Sequence, residues 1–276
     1  MKIAITGASG MLGSRMMSEL AGHSLVAVGR KSGTMPSAVD AVIHLAGEPV
    51  AQRWTAEAKR RILESREAGT RKLVDAFAQM TQPPQTLLCA SAIGIYGSRG
   101  DEVLTEASSP GQGFLPEVCL AWEREADRAA SLGVRVVKLR IGIVLAREGG
   151  ALARMLPPFR AGVGGPLGSG RQWMSWIHID DVVGLMRHAL EHAAMEGPVN
   201  ATAPLPVINA EFVRMLGKSL HRPAIVPAPA FALRLLFGEM SEVLLGSQRV
   251  LPAAADAAHY QFRHPELGAA LRDLLG

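Results

Sequence analysis

Cysteine is almost absent: Cys89 and Cys119 are the only two in 276 residues, each in an apolar context and without Cys-x-x-Cys or Cys/His spacing. That scarcity argues against a disulfide framework and a zinc site and implies free thiols in a reducing compartment, with no metal expected. Strong charge of one sign is also missing. Lys and Arg number 29 against 25 acids, a net +4 spread along the chain, too thin to be a footprint for nucleic acid. No apolar run approaches the roughly 20 residues that span a bilayer. The opening Met1-Lys2-Ile3-Ala4-Ile5-Thr6-Gly7 has no signal-like apolar region or cleavage site, so the expected location is the cytoplasm, with no membrane partner. What is present, 48% hydrophobic and 20% charged residues, is the balance of a folded soluble protein with a substantial core.

Apolar runs rich in Val, Ile and Leu recur at residues 2–6, 25–29, 41–46, 86–91 and 134–140, separated by stretches able to carry helices. This βαβ rhythm predicts a doubly wound parallel sheet with helices on both faces. Residues 54–80 place Trp54, Ala58, Ile62, Leu73 and Phe77 at helical spacing, and residues 117–130 do the same with Val118, Trp122, Ala126 and Ala129. From Gly149 to Trp173 the chain is rich in glycine and proline and reads as a pocket loop. Residues 1–203 are therefore expected to form the sheet domain, and residues 204–276 a smaller, mostly helical substrate domain with helices near 209–218, 230–237 and 265–274.

Thr6-Gly7-Ala8-Ser9-Gly10-Met11-Leu12-Gly13 follows the first strand and opens a helix. That order is the positional test for a Rossmann-like dinucleotide-binding turn. The first glycine permits the turn, the second lets backbone approach a pyrophosphate, the third lets helix and strand pack closely, and free N–H groups of Ser9 to Gly13 face the phosphates. Leu45-Ala46-Gly47-Glu48, at the end of the third strand, borders the same edge. An acid ending the second strand would grip the ribose of NAD, whereas this chain has Arg30-Lys31-Ser32, two cations and a hydroxyl suited to a 2′-phosphate. The expected cofactor is NADP(H).

With the glycine turn, Asp40-Ala41-Val42-Ile43-His44-Leu45-Ala46-Gly47, Ser91-Ala92-Ile93-Gly94-Ile95-Tyr96-Gly97 and Trp176-Ile177-His178-Ile179-Asp180-Asp181, the chain resembles the extended short-chain dehydrogenase/reductases. Within them it is most similar to the branch of atypical epimerase family proteins, through Gly47-Glu48-Pro49, Ser65-Arg66, Cys119 to Trp122-Glu123, and the stretch from Trp173 to Asp181. The resemblance implies catalysis by a Tyr-x-x-x-Lys pair with a Ser or Thr. Aligned on Glu123, this sequence has Leu115 at the tyrosine, Cys119 at the lysine, Ala92 at the serine, and Arg66 at the family asparagine. Leucine and alanine transfer no protons.

Three residues are candidates to replace the lost relay. Tyr96, one of two tyrosines, lies at a strand end and reads either as site lining or as packing. Ser91 either hydrogen-bonds a substrate or caps a turn. Glu48 is either a general acid/base or the partner of an arginine such as Arg66. Cys119 reads as a small buried hydrophobe and His178 as a structural rather than catalytic histidine. Met174 stands where the resemblance expects a pyrophosphate-clamping arginine, leaving Arg171 to replace it, with Gln172, Trp173 and Trp176 supplying hydrogen bonds and stacking surface. Tyr96 and at least one of Gln172, Trp173 and Trp176 are thus expected to line one cavity at the nicotinamide end. Two functions are compatible with these residues: an NADP(H)-dependent oxidoreductase or epimerase-like enzyme acting on a small hydroxyl or carbonyl substrate, and a catalytically silent NADP(H)-binding sensor or partner-binding protein.

Overall fold

The computed structural model describes residues 1–29 and 35–276. Six parallel strands form the central sheet: β1 (Lys2–Thr6), β2 (Ser24–Val28), β3 (Ala41–His44), β4 (Thr86–Ala92), β5 (Arg135–Ile141) and β6 (Gly197–Ala201). Their order is β6-β5-β4-β3-β1-β2, the doubly wound arrangement that strands apolar on both faces require. Ile3, Ile5, Ile43, Leu88 and Leu139 are fully buried, each stabilising by about 1.5–3 kcal/mol relative to exposure.

β6 was not among the expected strands. Gly-Pro-Val-Asn-Ala lacks a β-branched run, yet it lies at the sheet edge, where a proline removes no obligatory ladder bond. Helix α1 (Met11–Glu19) follows the glycine turn, and α2 (Ala56–Ala78) starts at Thr55, whose side chain accepts from Ala58 N at 3.1 Å. Helix α3 (Phe114–Asp127) lies beside α2.

The expected pocket loop at 149–173 is largely wrong. Gly150–Arg160 is a helix, α4, despite Pro157 and Pro158. Leu152, Leu156 and Phe159 repeat at helical spacing and bury together, and the two prolines, each forfeiting its own N–H bond, stand where only two helical residues remain to follow. Downstream, Trp173–Met174 pairs antiparallel with Val207–Ile208. Helix α5 (Ile179–Glu191) follows the short strand Trp176–His178. Its N-cap is His178, whose Nδ1 accepts from Asp180 N at 3.1 Å.

The C-terminal region carries α6 (Asn209–Ser219), α7 (Ala230–Phe237) and the final helix Leu267–Leu275. Phe212, Leu216, Leu271 and Leu274 share a core with Leu152, Leu156, Phe159 and Trp176. Beyond α7, Met240 packs with Trp54, Ile62 and Val118, Phe237 lies against that cluster, and Lys59 pairs with Glu239. The C-terminal helices are thus seated on α2 and α3 as well as on α4.

Candidate functional site

The glycine turn is built by steric necessity. Gly7 has φ of +71°, and a Cβ there would lie 2.8 Å from the carbonyl carbon of Leu45 and 2.9 Å from Ala46 N. At Gly13 it would lie 2.1 Å from the carbonyl oxygen of Gly7. Gly10 donates its N–H to Gly7 O at 3.0 Å and serves as the N-cap of α1 with no side chain to offer. The N–H groups of Met11, Leu12 and Gly13 therefore have no capping side chain, and no acid occupies the first turn. Ser9 and Gly10 are exposed, Met11 and Leu12 half-buried. A cradle that any Cβ would fill, next to open donors at a helix N-terminus, fits the pyrophosphate of a dinucleotide. Arg30, Lys31 and Ser32 lie outside the described residues.

Beneath the turn, Thr6 Oγ1 lies 2.7 Å from His44 Nδ1, and His44 Nε2 lies 3.0 Å from Thr70 Oγ1. Burial, and secondly the charge of Arg66, push the His44 imidazole down to about 4, so it is neutral near pH 7. Thr6 Oγ1 also accepts from Ala46 N at 3.3 Å, which fixes Leu45 and Ala46 against Gly7. Nothing in the sequence pointed to this ladder except the polar His44 ending an otherwise apolar strand.

Glu48 stays at this edge, half-buried. Its carboxylate lies 3.5 Å from Arg61 Nε and accepts from Gln52 Nε2 at 3.4 Å. Among the described residues its arginine partner is Arg61, whereas Arg66 donates from Nη1 to the Glu48 carbonyl at 3.0 Å. Gly47 lies directly over the Arg66 guanidinium: a Cβ there would sit 3.2 Å from Cζ and from Nη2.

Tyr96 and Ser91 are elsewhere. After Ser91 the chain turns through the 3-10 segment Ile93–Tyr96, and the phenol enters the core fully buried. Its hydroxyl accepts from Arg140 Nη1 at 2.9 Å and donates to Asn200 Oδ1 at 2.7 Å. Burial pushes the phenol above its ordinary range. Ser91 donates to Glu123 Oε1 at 2.7 Å, and Arg140 grips both oxygens of Glu123 through Nε and Nη2 at 2.9 Å each. Ser91, Glu123, Arg140, Tyr96 and Asn200 thus form one buried chain tying β4, α3, β5 and β6 together. Its members satisfy one another, which is the condition for burying them.

The common cavity expected for Tyr96 with Gln172, Trp173 and Trp176 does not form. Trp176 is fully buried in another apolar cluster and donates Nε1–H to Leu205 O at 3.1 Å. Gln172 is buried and spends its amide on the carbonyls of Leu167 and Leu244 at 3.0 and 3.2 Å. Trp173 donates to Asp101 at 2.8 Å with Arg249 over its ring, and Arg171 is exposed. These groups are polar or aromatic for packing reasons that a linear reading does not separate from ligand contact.

At the positions of the lost relay, Leu115 lies against Gly94. Cys119 is buried beside Ala92 O, and burial pushes its thiol up to about 12. His178 is 1% exposed, stacks on His264 at 3.8 Å and has its pKa lowered by burial. Its Nδ1 lone pair is taken by the Asp180 N–H, so Nε2 carries the proton. With Asp180 in turn held by Arg15 at 2.7 Å, the nearby trio His178, Asp180 and His264 is a poor ligand set for a cation.

Comparison with known proteins matches the description "NAD dependent epimerase/dehydratase family" over residues 3–201, and a domain of unknown function, DUF1731, over residues 228–274. The chain belongs to this epimerase/dehydratase family. It is 38% identical over 302 residues to the chloroplastic epimerase family protein SDR39U1 homolog of Arabidopsis thaliana, covering 100% of this chain and 87% of that protein. It is 40% identical over 290 residues to an epimerase family protein of Mycobacterium bovis, covering 98% and 96%. Among solved structures, human epimerase family protein SDR39U1 with NADPH superposes with a TM-score of 0.92 at 32% identity, covering 100% of this chain and 99% of that one. A nucleoside-diphosphate sugar epimerase from Corynebacterium glutamicum gives a TM-score of 0.80 at 35% identity, covering 100% and 58%. The chain is an epimerase-family NAD(P)-binding protein with a Rossmann-like fold.

Proposed function

We propose that the protein binds NADP(H) at the glycine turn and acts as an oxidoreductase or epimerase-like enzyme on a small hydroxyl or carbonyl compound held beside the nicotinamide. The observation that carries this reading is the cradle at Gly7 and Gly13 with the open N-terminus of α1. Its phosphate preference is supported by Arg30, Lys31 and Ser32 in the sequence and by the NADPH in the human relative. When bound, the cofactor supplies or accepts hydride. Leu45, Ala46 and Gly47 support its edge, and Glu48 is the one of the three proposed proton carriers left there, since Tyr96 and Ser91 are consumed by the buried chain. That same consumption favours a second reading, a catalytically silent NADP(H)-binding sensor.

The two readings separate by experiment. NADPH should bind much more tightly than NADH in a fluorescence titration, and Arg30→Asp should weaken NADPH at least about tenfold, the loss of one charged hydrogen bond. Equal affinities for the two cofactors would sink the NADP(H) assignment. Oxidation of bound NADPH by a panel of small carbonyl compounds, lost in Glu48→Gln with NADPH affinity retained, supports the enzyme; no oxidation across the panel supports the sensor.

A further inference from the structure

Two arginines are buried among the described residues, Arg140 at 8% and Arg66 at 9% exposure. Arg140 shows what such a residue needs. Its side-on edge, Nε and Nη2, holds both oxygens of Glu123, the bidentate geometry that makes guanidinium–carboxylate pairs strong. Arg66 has the opposite arrangement. All of its hydrogen bonds leave from Nη1, to Glu48 O at 3.0 Å, Ile62 O at 3.2 Å and Ser65 Oγ at 3.4 Å. Among the described residues, Nε and Nη2 have no hydrogen-bond partner, and Arg66 has no ion pair with any carboxylate.

A buried charge without a counter-ion is costly and is ordinarily paired. The neighbours do not pair this one. Cys119 is a neutral thiol, since burial raises it to about 12, and Glu48 acts on Arg66 only through space while Arg61 and Gln52 engage its carboxylate. The side chain is packed nonetheless, with Cζ 4.9 Å from the Trp122 ring centroid and the guanidinium against Gly47. Gly47 directly follows Leu45 and Ala46, which close on Gly7, and a Cβ on Gly47 would lie 3.2 Å from Nη2, so the guanidinium lies close to the segment that borders the dinucleotide turn.

We propose that the Nε–Nη2 edge of Arg66 is a docking point for the carboxylate of a small ligand held beside the dinucleotide. The proposal rests on the NADP(H) reading for its neighbour but not for its chemistry: the edge offers two parallel N–H donors and a net positive charge, which a carboxylate fills as Glu123 fills Arg140. The ligand class is thus narrowed to acids that also carry a hydroxyl or carbonyl group.

The test uses the full chain with acetate as probe and chloride at matched ionic strength as control, in the absence and presence of saturating NADPH. Acetate should raise the thermal midpoint saturably, beyond chloride, and change tryptophan emission through Trp122, both with NADPH bound. Arg66→Gln should abolish both responses. Arg66→Lys should weaken acetate at least about tenfold, because a point ammonium lacks the paired edge. Arg66→Lys, which keeps a donor for the Glu48 carbonyl, should hold NADPH affinity within about twofold, so that its loss of acetate response is separable from any disturbance of the cofactor's edge. No acetate response in the unsubstituted protein, an equal response in Arg66→Gln, or competition of acetate with NADPH would each overturn the proposal. Failure of the unsubstituted protein to bind NADPH would instead defeat the function proposed above while leaving the cofactor-free acetate titration readable.

Discussion

Gly13→Ala puts a methyl group where the chain has no room for one. The added Cβ would lie 2.1 Å from Gly7 O, 2.7 Å from Ala8 Cα and 2.8 Å from Gly7 C, all backbone atoms that cannot swing aside. An alanine in a helix gains about 1 kcal/mol over glycine from propensity alone, and overpacking of this kind costs roughly 1–3 kcal/mol or more. The clash is severe enough that the second effect wins. Relief requires α1 to move off the turn, so the N–H groups of Met11 and Leu12 lose their aim at the phosphates. Displacement worth about 1.4 kcal/mol at the phosphates weakens NADPH about tenfold, and net destabilisation of 1–2 kcal/mol lowers the melting temperature by roughly 2–8 °C. Gly69→Ala provides the control: it sits within α2 with nothing within 4 Å of the new methyl, so it should raise stability by up to about 1 kcal/mol and leave binding alone. Calorimetry and NADPH titration of the two variants decide the matter. Tight NADPH binding and an unchanged melting temperature in Gly13→Ala would refute the close packing of helix on turn.

Tyr96→Phe should destabilise the fold by about 1–3 kcal/mol in urea unfolding, because it leaves Asn200 Oδ1 without its donor, while NADPH affinity stays unchanged; a weakened NADPH affinity would return Tyr96 to the site. His44 is depressed in the folded protein from 6.5 to about 4, so the unfolded chain binds the extra proton between those values. Its contribution is present in full above pH 6.5 and is lost as pH falls toward 4, of the order of 3 kcal/mol in all. Urea midpoints measured from pH 7 to 4.5 should fall less steeply in His44→Gln than in the unsubstituted protein, and identical slopes would show that His44 is not buried neutral.

The sheet and the turn were legible because their causes are local. Ile3 to Ile5 and Val42 to Ile43 read as strands from composition, and Gly7, Gly10 and Gly13 read as a turn from spacing. Helix α4 was hidden by its own composition: Gly149, Gly150, Pro157 and Pro158 obscured the repeat of Leu152, Leu156 and Phe159. The site was less legible for a different reason. Whether Tyr96 meets a ligand depends on Arg140 and Asn200, 44 and 104 residues away, and no periodicity records a partner at that distance. Arg66 was visible only as a departure from a family asparagine; that its bonds all leave from Nη1, unlike the bidentate edge of Arg140, is a matter of three-dimensional partners.

The seating of the C-terminal segment also governs the order in which the chain can finish folding. Asp181, fully buried at the start of α5, receives its hydrogen bonds from the backbone of Arg263 and His264 and from Tyr260, and Glu106 receives one from Ala254. Until those residues emerge during synthesis, the buried carboxylate of Asp181 lacks these donors, Glu106 has the Asn200 N–H alone of the two backbone donors, and the cluster around α4 lacks Leu267, Leu271 and Leu274. A chain stopped before residue 254 would therefore lose more than an appendage. It would leave Asp181 without its donors and uncover the apolar surface on which Leu267, Leu271 and Leu274 pack, exposure of the kind that favours aggregation.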